Sequence, residues 1–549
     1  MVDIFTVWAS AGCGKTRFCT DMAATYIKSG YCSKEQVLYS TFAREAANDA
    51  AVRAGVTGDE RRHLWFRTLH SVCFKLLRVG RGQVVSGAKL REFGGRMGVE
   101  INDELAMEED EAADIAKIIL AIERVRSSSE ESGSAISKLL GMYQHARLTA
   151  ESVADLDRAR KEPSPSALQY FGHMDWSRYA DVVESYEAWK GGELLDFVDM
   201  LEQVLLRPID LPDWKVVFID EAQDLSPLQW LVVDKLSDRA RVAYYAGDDF
   251  QAIMSFQGSS AASFLSYRNR SRRIHLPTTH RFGQKIIDLG QRIVQGLPDS
   301  EPKHIVPAKA INNTIKRIWD VEEATEAYGS KFWLHRHREG CNALSAHCIM
   351  NGIPFWAERG ANPLGKGIEI AGFKAISKAV RGEILDGGDI KSMTKVIRSS
   401  KEINGERVKF LKHGSMTKLE DMEPDQTITP LELSQHFTEF FWDALRAGDW
   451  SVTDVRFASY YQALEESGWE LGGDLEPQIT ITTIHGSKGR DADSVFLWDE
   501  VLPRCMKDPA ELRVAYVGAT RSKGPLYIVS SPVTSWRMER FPFPIEDGD

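Results

Sequence analysis

The chain reads as an α/β protein built on parallel sheets, with two insertions. Three observations predict this. Apolar, β-branched runs that end in Gly- or Asp-rich turns and pass into helical periodicity recur at 3–16, 36–53, 214–235 and 241–262, the alternation a parallel sheet requires. Between about 80 and 190 the pattern turns to amphipathic helix, broken by Ser127-Ser-Ser129, Ser132-Gly-Ser134 and Pro163-Ser-Pro165, which predicts an inserted helical subdomain. A second α/β portion is expected to start near Ile274, to be interrupted by a basic segment over 361–474, and to resume at Ile479-Thr-Ile-Thr482. No internal repeat or long low-complexity tract is visible.

Length and composition bound the rest. At 549 residues the chain exceeds one ordinary domain, and roughly 100–200 residues per domain implies three or four lobes. A hydrophobic content of 43% with 27% charged residues suits a soluble globular protein, and no stretch approaches the ~20 apolar residues that span a bilayer. The first residues, Met1-Val-Asp-Ile-Phe-Thr-Val-Trp8, lack the features of a secretory signal, so the mature chain is expected to begin near Met1 and to stay in the cytoplasm. Seven scattered cysteines, none in a zinc-clip spacing, read as reduced thiols.

A net charge of −11 argues against a nucleic-acid partner only if its distribution is ignored. Residues 266–281 hold five arginines and no acid, and 374–418 hold eleven Lys/Arg against five Asp/Glu. These predict local positive surfaces, the second of them a contact for duplex phosphates. By contrast 103–131 carries ten acids and three bases, a solvated helical face expected to stay off phosphates.

The strongest single signal is Ala9-Ser-Ala11-Gly12-Cys13-Gly14-Lys15-Thr16, set between the strand-like Ile4–Trp8 and a helix beginning at Arg17. Small residues let the backbone curl so that successive N–H groups face phosphate oxygens. Lys15 adds a point charge on the β/γ-phosphates, and the Thr16 hydroxyl is placed to ligate Mg²⁺. Nucleotide contacts are therefore expected from Ala11, Gly12, Cys13, Gly14, Lys15, Thr16 and Arg17, with ATP and Mg²⁺ as cofactors. A phosphate loop alone does not separate a kinase from a GTPase from a motor. Its partner is Lys215-Val-Val-Phe-Ile219-Asp220-Glu221-Ala-Gln223-Asp224, an apolar strand ending in two adjacent carboxylates. Asp220 is expected to hold Mg²⁺ and Glu221 to polarise the attacking water.

With these segments in hand the chain resembles the UvrD/Rep/PcrA branch of the superfamily 1 helicases, whose second motif is DEAQD and whose other motifs follow in family order. Thr41-Phe42-Ala-Arg-Glu-Ala46-Ala47 resembles the motif whose aromatic stacks on a DNA base, and Arg67-Thr68-Leu-His70-Ser71 the next strand-contacting motif. Leu195-Asp196-Phe197-Val-Asp199-Met-Leu201 is similar to the DFxDxL segment that closes the first insertion. Ala246-Gly247-Asp248-Asp249-Phe-Gln251 resembles the third motif, with Gln251 sensing the γ-phosphate, and Leu276-Pro-Thr-Thr-His280-Arg281 the fourth. Thr483-Ile-His485-Gly-Ser-Lys488-Gly489-Arg-Asp491 and Tyr516-Val-Gly518-Ala-Thr520-Arg521 resemble the fifth and sixth.

The resemblance implies two RecA-like P-loop NTPase lobes, 1–80 with 191–273 and 274–360 with 475–549, carrying inserted, mainly helical subdomains at 81–190 and 361–474. It implies a catalytic set of Lys15, Asp220, Glu221, Gln251, Arg281 and Arg521. The two arginines, both placed in the second α/β portion, would charge-stabilise the γ-phosphate across a cleft between lobes. Phe42, Thr68, His70, Phe256, Thr483 and His485 would hold the strand, by base stacking among other contacts. The implied activity is translocation on single-stranded DNA with unwinding at ss/ds junctions, leaning to the 3′→5′ direction, in replication or repair. Alternatives are a DNA-stimulated regulatory ATPase and a helicase-like subunit serving a separate nuclease in recombination or phage defence.

Several residues depart from the family pattern. After Gln251 the run Ala252-Ile-Met254-Ser-Phe256-Gln257 lacks the usual Trp-Arg. Arg490-Asp491-Ala492 replaces Leu-Glu-Phe, so the acid that would hold the ribose is one methylene shorter. No nuclease-like extension is expected after Arg521, so strand cleavage would fall to a partner. No counterpart of the family's adenine-reading glutamine is expected upstream of the phosphate loop, and His280 stands where a tyrosine stacks on the base.

Overall fold

Six parallel strands form the first sheet: β1 Asp3–Ala9, β2 Val37–Thr41, β3 Trp65–Thr68, β4 Val216–Ile219, β5 Val242–Gly247 and β6 Arg272–Leu276, in the order β3-β2-β4-β5-β1-β6. All of β2 and β4 is buried, which explains their unbroken apolar runs: a parallel strand covered on both faces need not alternate. One aromatic per strand stands in register across five strands. Phe66, Tyr39, Phe218, Tyr244 and Phe5 stack with centroid spacings of 5.7, 5.9, 5.0 and 5.0 Å. Arg272 of β6 closes the row over Phe5 at 5.7 Å.

The computed structural model describes residues 2–41, 44–56, 60, 63–99, 132–172, 175–254, 261–358, 362–403, 406–473, 476–503, 505–533 and 538–545. The chain divides into two units, 1–313 with 508–520 and 314–507 with 521–549. The expected change of lobe at 273/274 therefore falls inside β6, which pairs with β1 from Phe5↔Arg272 to Ala9↔Leu276 and belongs to the first sheet. Arg281 accordingly sits in the first unit, not with the second α/β portion.

In the first unit α1 Lys15–Lys28 follows the β1 turn and α2 Leu69–Leu77 follows β3. The insertion contributes α3 Ser132–Leu148 and α4 Tyr179–Lys190, with two short helices between them. Ser132-Gly-Ser134, expected as a break, lies in the first turn of α3, while Ser164 caps the helix Pro165–Phe171 as its Pro-Ser-Pro setting suggests. The acidic segment 103–131, with Ser127–Ser129, lies outside the described residues. The DFxDxL segment starts α5 Phe197–Leu206 through a capping box between Asp196 and Asp199. Those carboxylates, with Glu202, accept from Arg147 of α3 at 2.6, 2.7 and 3.3 Å. Lys190, the last residue of α4, adds 2.6 Å to Asp199 and 3.4 Å to Asp196. The motif is thus a buried ionic seam that holds the insertion to the sheet-bearing part of the unit. Also in this unit are α6 Gln284–Val294 and the late helix α7 Ala510–Ala519.

The second unit has its own six-stranded parallel sheet: β7 Ile315–Ile318, β8 Lys331–His335, β9 Phe355–Ala357, β10 Ile479–Thr483, β11 Ser494–Trp498 and β12 Leu526–Val529, ordered β9-β10-β8-β11-β12-β7. Between β9 and β10 the chain is mainly helical, including Gly367–Val380, Glu439–Arg446 and Ala458–Glu466, around a core of Phe373, Phe410, Phe437, Phe441 and Tyr461. Among the described residues, three of the eleven basic side chains at 374–418 are in ion pairs: Lys378 with Asp389 at 2.9 Å, Arg381 with Glu383 at 2.6 Å and Arg398 with Asp454 at 2.6 Å. In 266–281, Arg268 and Arg273 each lie 3.2 Å from a carboxylate. All seven cysteines are buried free thiols. Among the described residues no helix is long and apolar enough to cross a membrane.

Candidate nucleotide-binding site

The phosphate loop takes its shape from two glycines in left-handed conformation, Gly12 (φ 72°) and Gly14 (φ 79°), between β1 and the first turn of α1. At Gly12 a side chain has no room: a Cβ would stand 2.6 Å from Arg281 Cβ and 2.7 Å from Thr279 Oγ1. The crowding follows from the sheet order. Because β6 lies beside β1 in parallel register, the chain leaving Leu276 passes directly over the loop that leaves Ala9. Thr279 donates its hydroxyl to the Ala11 carbonyl at 2.9 Å, and His280 N–H to the Gly12 carbonyl at 3.0 Å. Ser10 and the Tyr516 hydroxyl of α7 close the loop from another side.

Lys15, the first residue of α1, is buried. Burial pulls its ammonium down, but the carboxylates of Glu221, Asp248 and Asp220 overcome that pull and leave its pKa above the ordinary lysine value. Burial pushes the Cys13 thiol up to about 11, so it stays protonated beside the loop. Arg17 is exposed on α1, 3.6 Å from Asp21.

Thr16 donates its hydroxyl to Asp220 Oδ2 at 2.6 Å, and Glu221 N–H donates to Asp220 Oδ1 at 3.0 Å. Burial and the neighbouring Glu221 raise the Asp220 carboxyl to about 6, against the opposing pull of the Thr16 bond and Lys15. A hydroxyl and a carboxylate side by side at the end of β4 form a hard-oxygen pair that fits Mg²⁺, and a cation there would discharge the buried acid. When bound, Mg²⁺ supplies charge neutralisation to the β/γ-phosphates.

Glu221 occupies the left-handed region at φ 56°, ψ 39°, a conformation that costs a non-glycine residue about 1–3 kcal/mol and is kept where the surroundings demand it. Gln223 explains what holds it. Its amide nitrogen donates to Glu221 Oε2 at 2.7 Å and to Asp224 Oδ2 at 3.0 Å, while its oxygen accepts Asp248 N–H at 2.9 Å. Asp248 in turn accepts the Gln251 side-chain amide at 2.7 Å and Phe250 N–H at 3.2 Å. One glutamine therefore links the β4 carboxylates to the turn after β5 that carries Gln251.

That turn is braced by residues with no motif of their own. Lys303, buried, lies 3.1 Å from Asp248, ion-pairs with Asp249 and sits 3.3 Å from the Phe250 ring centroid. Glu301 N–H donates to Asp249 at 3.0 Å, and Arg513 of α7 to the Asp249 carbonyl at 2.9 Å. Arg281, half-buried, donates to the Thr520 carbonyl at 3.2 Å.

The first unit thus brings together Lys15, Thr16, Asp220, Glu221 and Gln251, with Arg281 and His280 over the loop. His280 is exposed. Arg521, Asp491, Thr483 and His485 belong to the second unit. There Arg521 is buried and donates to the Arg490 carbonyl at 3.0 Å, and Asp491 pairs with Lys523 at 2.5 Å. Thr483 accepts Gly486 N–H at 3.0 Å, and His485 is half-buried. Phe42 and Phe256 lie outside the described residues.

Thr68 and His70, expected on the strand-binding face, are instead interior, each 2% exposed. Thr68 caps α2 by accepting Ser71 N–H, and His70 packs 5.9 Å from Phe197. Burial lowers the His70 pKa to about 4. The Thr-x-His spacing puts both residues at the start of α2, and that helix packs its first turn inward.

Sequence comparisons bear on this geometry. Residues 3–272 match the model of the UvrD/REP helicase N-terminal domain, and 460–532 that of the UvrD-like helicase C-terminal domain. Among similar proteins is the ATP-dependent DNA helicase PcrA of Staphylococcus aureus, 24% identical over 339 residues, covering 59% of this chain and 42% of the relative. Staphylococcus epidermidis PcrA is 22% identical over 348 residues, covering 61% and 44%. The match spans less than half the length of these relatives. The two family models take in more than half of the chain, in the order its two sheets are built, and the chain belongs to the UvrD/Rep/PcrA-like superfamily 1 helicases.

Proposed function

We propose that this chain hydrolyses ATP with Mg²⁺ to translocate along single-stranded DNA, in the 3′→5′ direction, and to separate strands at ss/ds junctions in the cytoplasm. The observation that carries the reading is the convergence of Lys15, the Thr16–Asp220 pair and Glu221 around one loop, with Gln251 tied to the same carboxylates through Gln223 and Asp248. Lys15 binds the phosphates, Thr16 and Asp220 hold the metal, and Glu221 takes the proton of the attacking water. Arg281 lies over the phosphate loop, suited to the charge that develops as the γ-phosphate departs. Arg521 is assigned the same task from its motif, as Asp491 is assigned the ribose. Thr483, His485, Phe42 and Phe256 are assigned the strand on the same ground.

The test is DNA-stimulated hydrolysis run beside strand displacement on substrates with 3′ or 5′ single-stranded tails. Lys15→Ala is expected to abolish turnover, and Glu221→Gln to bind nucleotide but hydrolyse it at least ~100-fold more slowly. A near-normal rate in either variant removes the site assignment. Displacement from 5′ tails alone reverses the polarity, and hydrolysis without displacement favours a regulatory ATPase.

A further inference from the structure

Tyr39 lies in β2 with no exposure to solvent. Its ring is the second rung of the aromatic row, parallel to Phe66 within 8° and to Phe218 within 29°. Its hydroxyl donates to Asp220 Oδ2 at 3.1 Å, the oxygen that also accepts the Thr16 hydroxyl. With Glu221 N–H on Oδ1, the carboxylate is gripped by three donors from three segments: β2, the start of α1 and its own chain. The Tyr39 donor comes from a separate strand, paired with β4 at Tyr39↔Phe218, so it does not turn with the carboxylate.

We infer that Tyr39 is a positioning residue for the metal centre, fixing the rotation of the Asp220 carboxylate so that Asp220 and Thr16 present their oxygens to Mg²⁺ together. The inference rests on the nucleotide-site reading above and extends it to a residue outside every motif. Outer partners of a ligating carboxylate set its orientation, and their loss characteristically weakens metal binding by about 10–100-fold. Without the phenol, Asp220 keeps its Thr16 and Glu221 N–H contacts but loses the donor on Oδ2 that comes from a separate strand, and turns more freely about its Cβ–Cγ bond. Binding of the metal must then order it again.

Tyr39→Phe removes the hydroxyl and leaves the ring in its row. Two readouts on the full chain test the inference: affinity for a fluorescent ADP analogue in EDTA, and binding of Mn²⁺ in the presence of ADP followed by electron paramagnetic resonance. The expected result is metal-free nucleotide affinity within about twofold of wild type and half-saturating Mn²⁺ raised about tenfold. Phe218→Leu, which breaks the row but not the hydroxyl bond, is expected to lower the melting temperature and leave Mn²⁺ binding near wild type. Unchanged Mn²⁺ binding in Tyr39→Phe overturns the inference, as does an equal loss in Phe218→Leu, which would make Tyr39 merely structural. A wild-type chain that binds neither ADP nor Mn²⁺-ADP defeats the nucleotide-site reading itself, a result distinct from either.

Discussion

Arg147 donates to Asp196 at 2.6 Å with both side chains buried, so the helix that follows the undescribed acidic segment is fastened to the DFxDxL segment by charge as well as by packing. Arg147→Met takes the guanidinium from Asp196, Asp199 and Glu202 and leaves their charges buried with too few cations. Removing one partner of a buried ion network costs about 3–5 kcal/mol. Urea denaturation should show that loss, and limited proteolysis should cut first within 132–190. A change below ~1 kcal/mol would mean that the seam contributes little.

Gly12→Ala is expected to weaken nucleotide binding at least about tenfold, since its Cβ would collide with Arg281 and Thr279 and a left-handed alanine costs about 1 kcal/mol or more besides. Gly14→Ala carries the same backbone penalty, but its Cβ meets nothing closer than Arg17 Cβ at 4.0 Å. Equilibrium binding of a fluorescent nucleotide to both variants separates crowding from strain. Equal losses would show that the contact between the loop and the segment above it is unimportant.

Stability should fall with acid through the His70 window. Burial depresses the folded-state pKa to about 4, whereas an unfolded histidine titrates near 6.5. Between those values the unfolded chain binds the extra proton, so unfolding becomes easier as pH falls below about 6.5, and the penalty is complete near 4. Its full size is on the order of 3 kcal/mol. Melting curves at pH 7, 6 and 5 for wild type and His70→Gln check this: the variant should lose part of the slope, and parallel curves would remove His70 as its source.

Discrimination between bases should be weak. The side chain above the loop at the tyrosine position is the exposed imidazole of His280, which offers a base a face to stack on. Stacking accepts any flat base, whereas edge-reading hydrogen bonds reject the wrong one strongly. GTP and dATP should be used within roughly tenfold of ATP, a difference of only ~1.4 kcal/mol. Values of kcat/KM with saturating single-stranded DNA test it, and a preference above ~100-fold would mean that other residues read adenine.

The phosphate loop and the β4 carboxylates were legible in the sequence because their chemistry lies in contiguous residues: a strand, a fixed spacing and a helix start specify both. What pairing decides was not. Tyr39 is an ordinary apolar-strand residue until β2 lies beside β4, and Lys303 has no signature until the turn after β5 folds against it. The boundary near Ile274 failed for a related reason, since an apolar run marks a strand but not the sheet it joins. His70 misled because its motif describes a spacing, while which face of α2 turns inward depends on α5 packing against it.

The aromatic row across the first sheet has unlike ends. Phe66 is sealed in the core, whereas the Arg272 side chain is 71% exposed. Local opening of a sheet begins where the fewest contacts must be broken, so the sheet should loosen from β6 while β4 and β5 hold. In amide exchange, the hydrogens of β6 would be lost to solvent first. The strand that gives way most readily is then the one leading to Thr279, His280 and Arg281, so the cover over the phosphate loop can breathe while the bed beneath Lys15 keeps its shape.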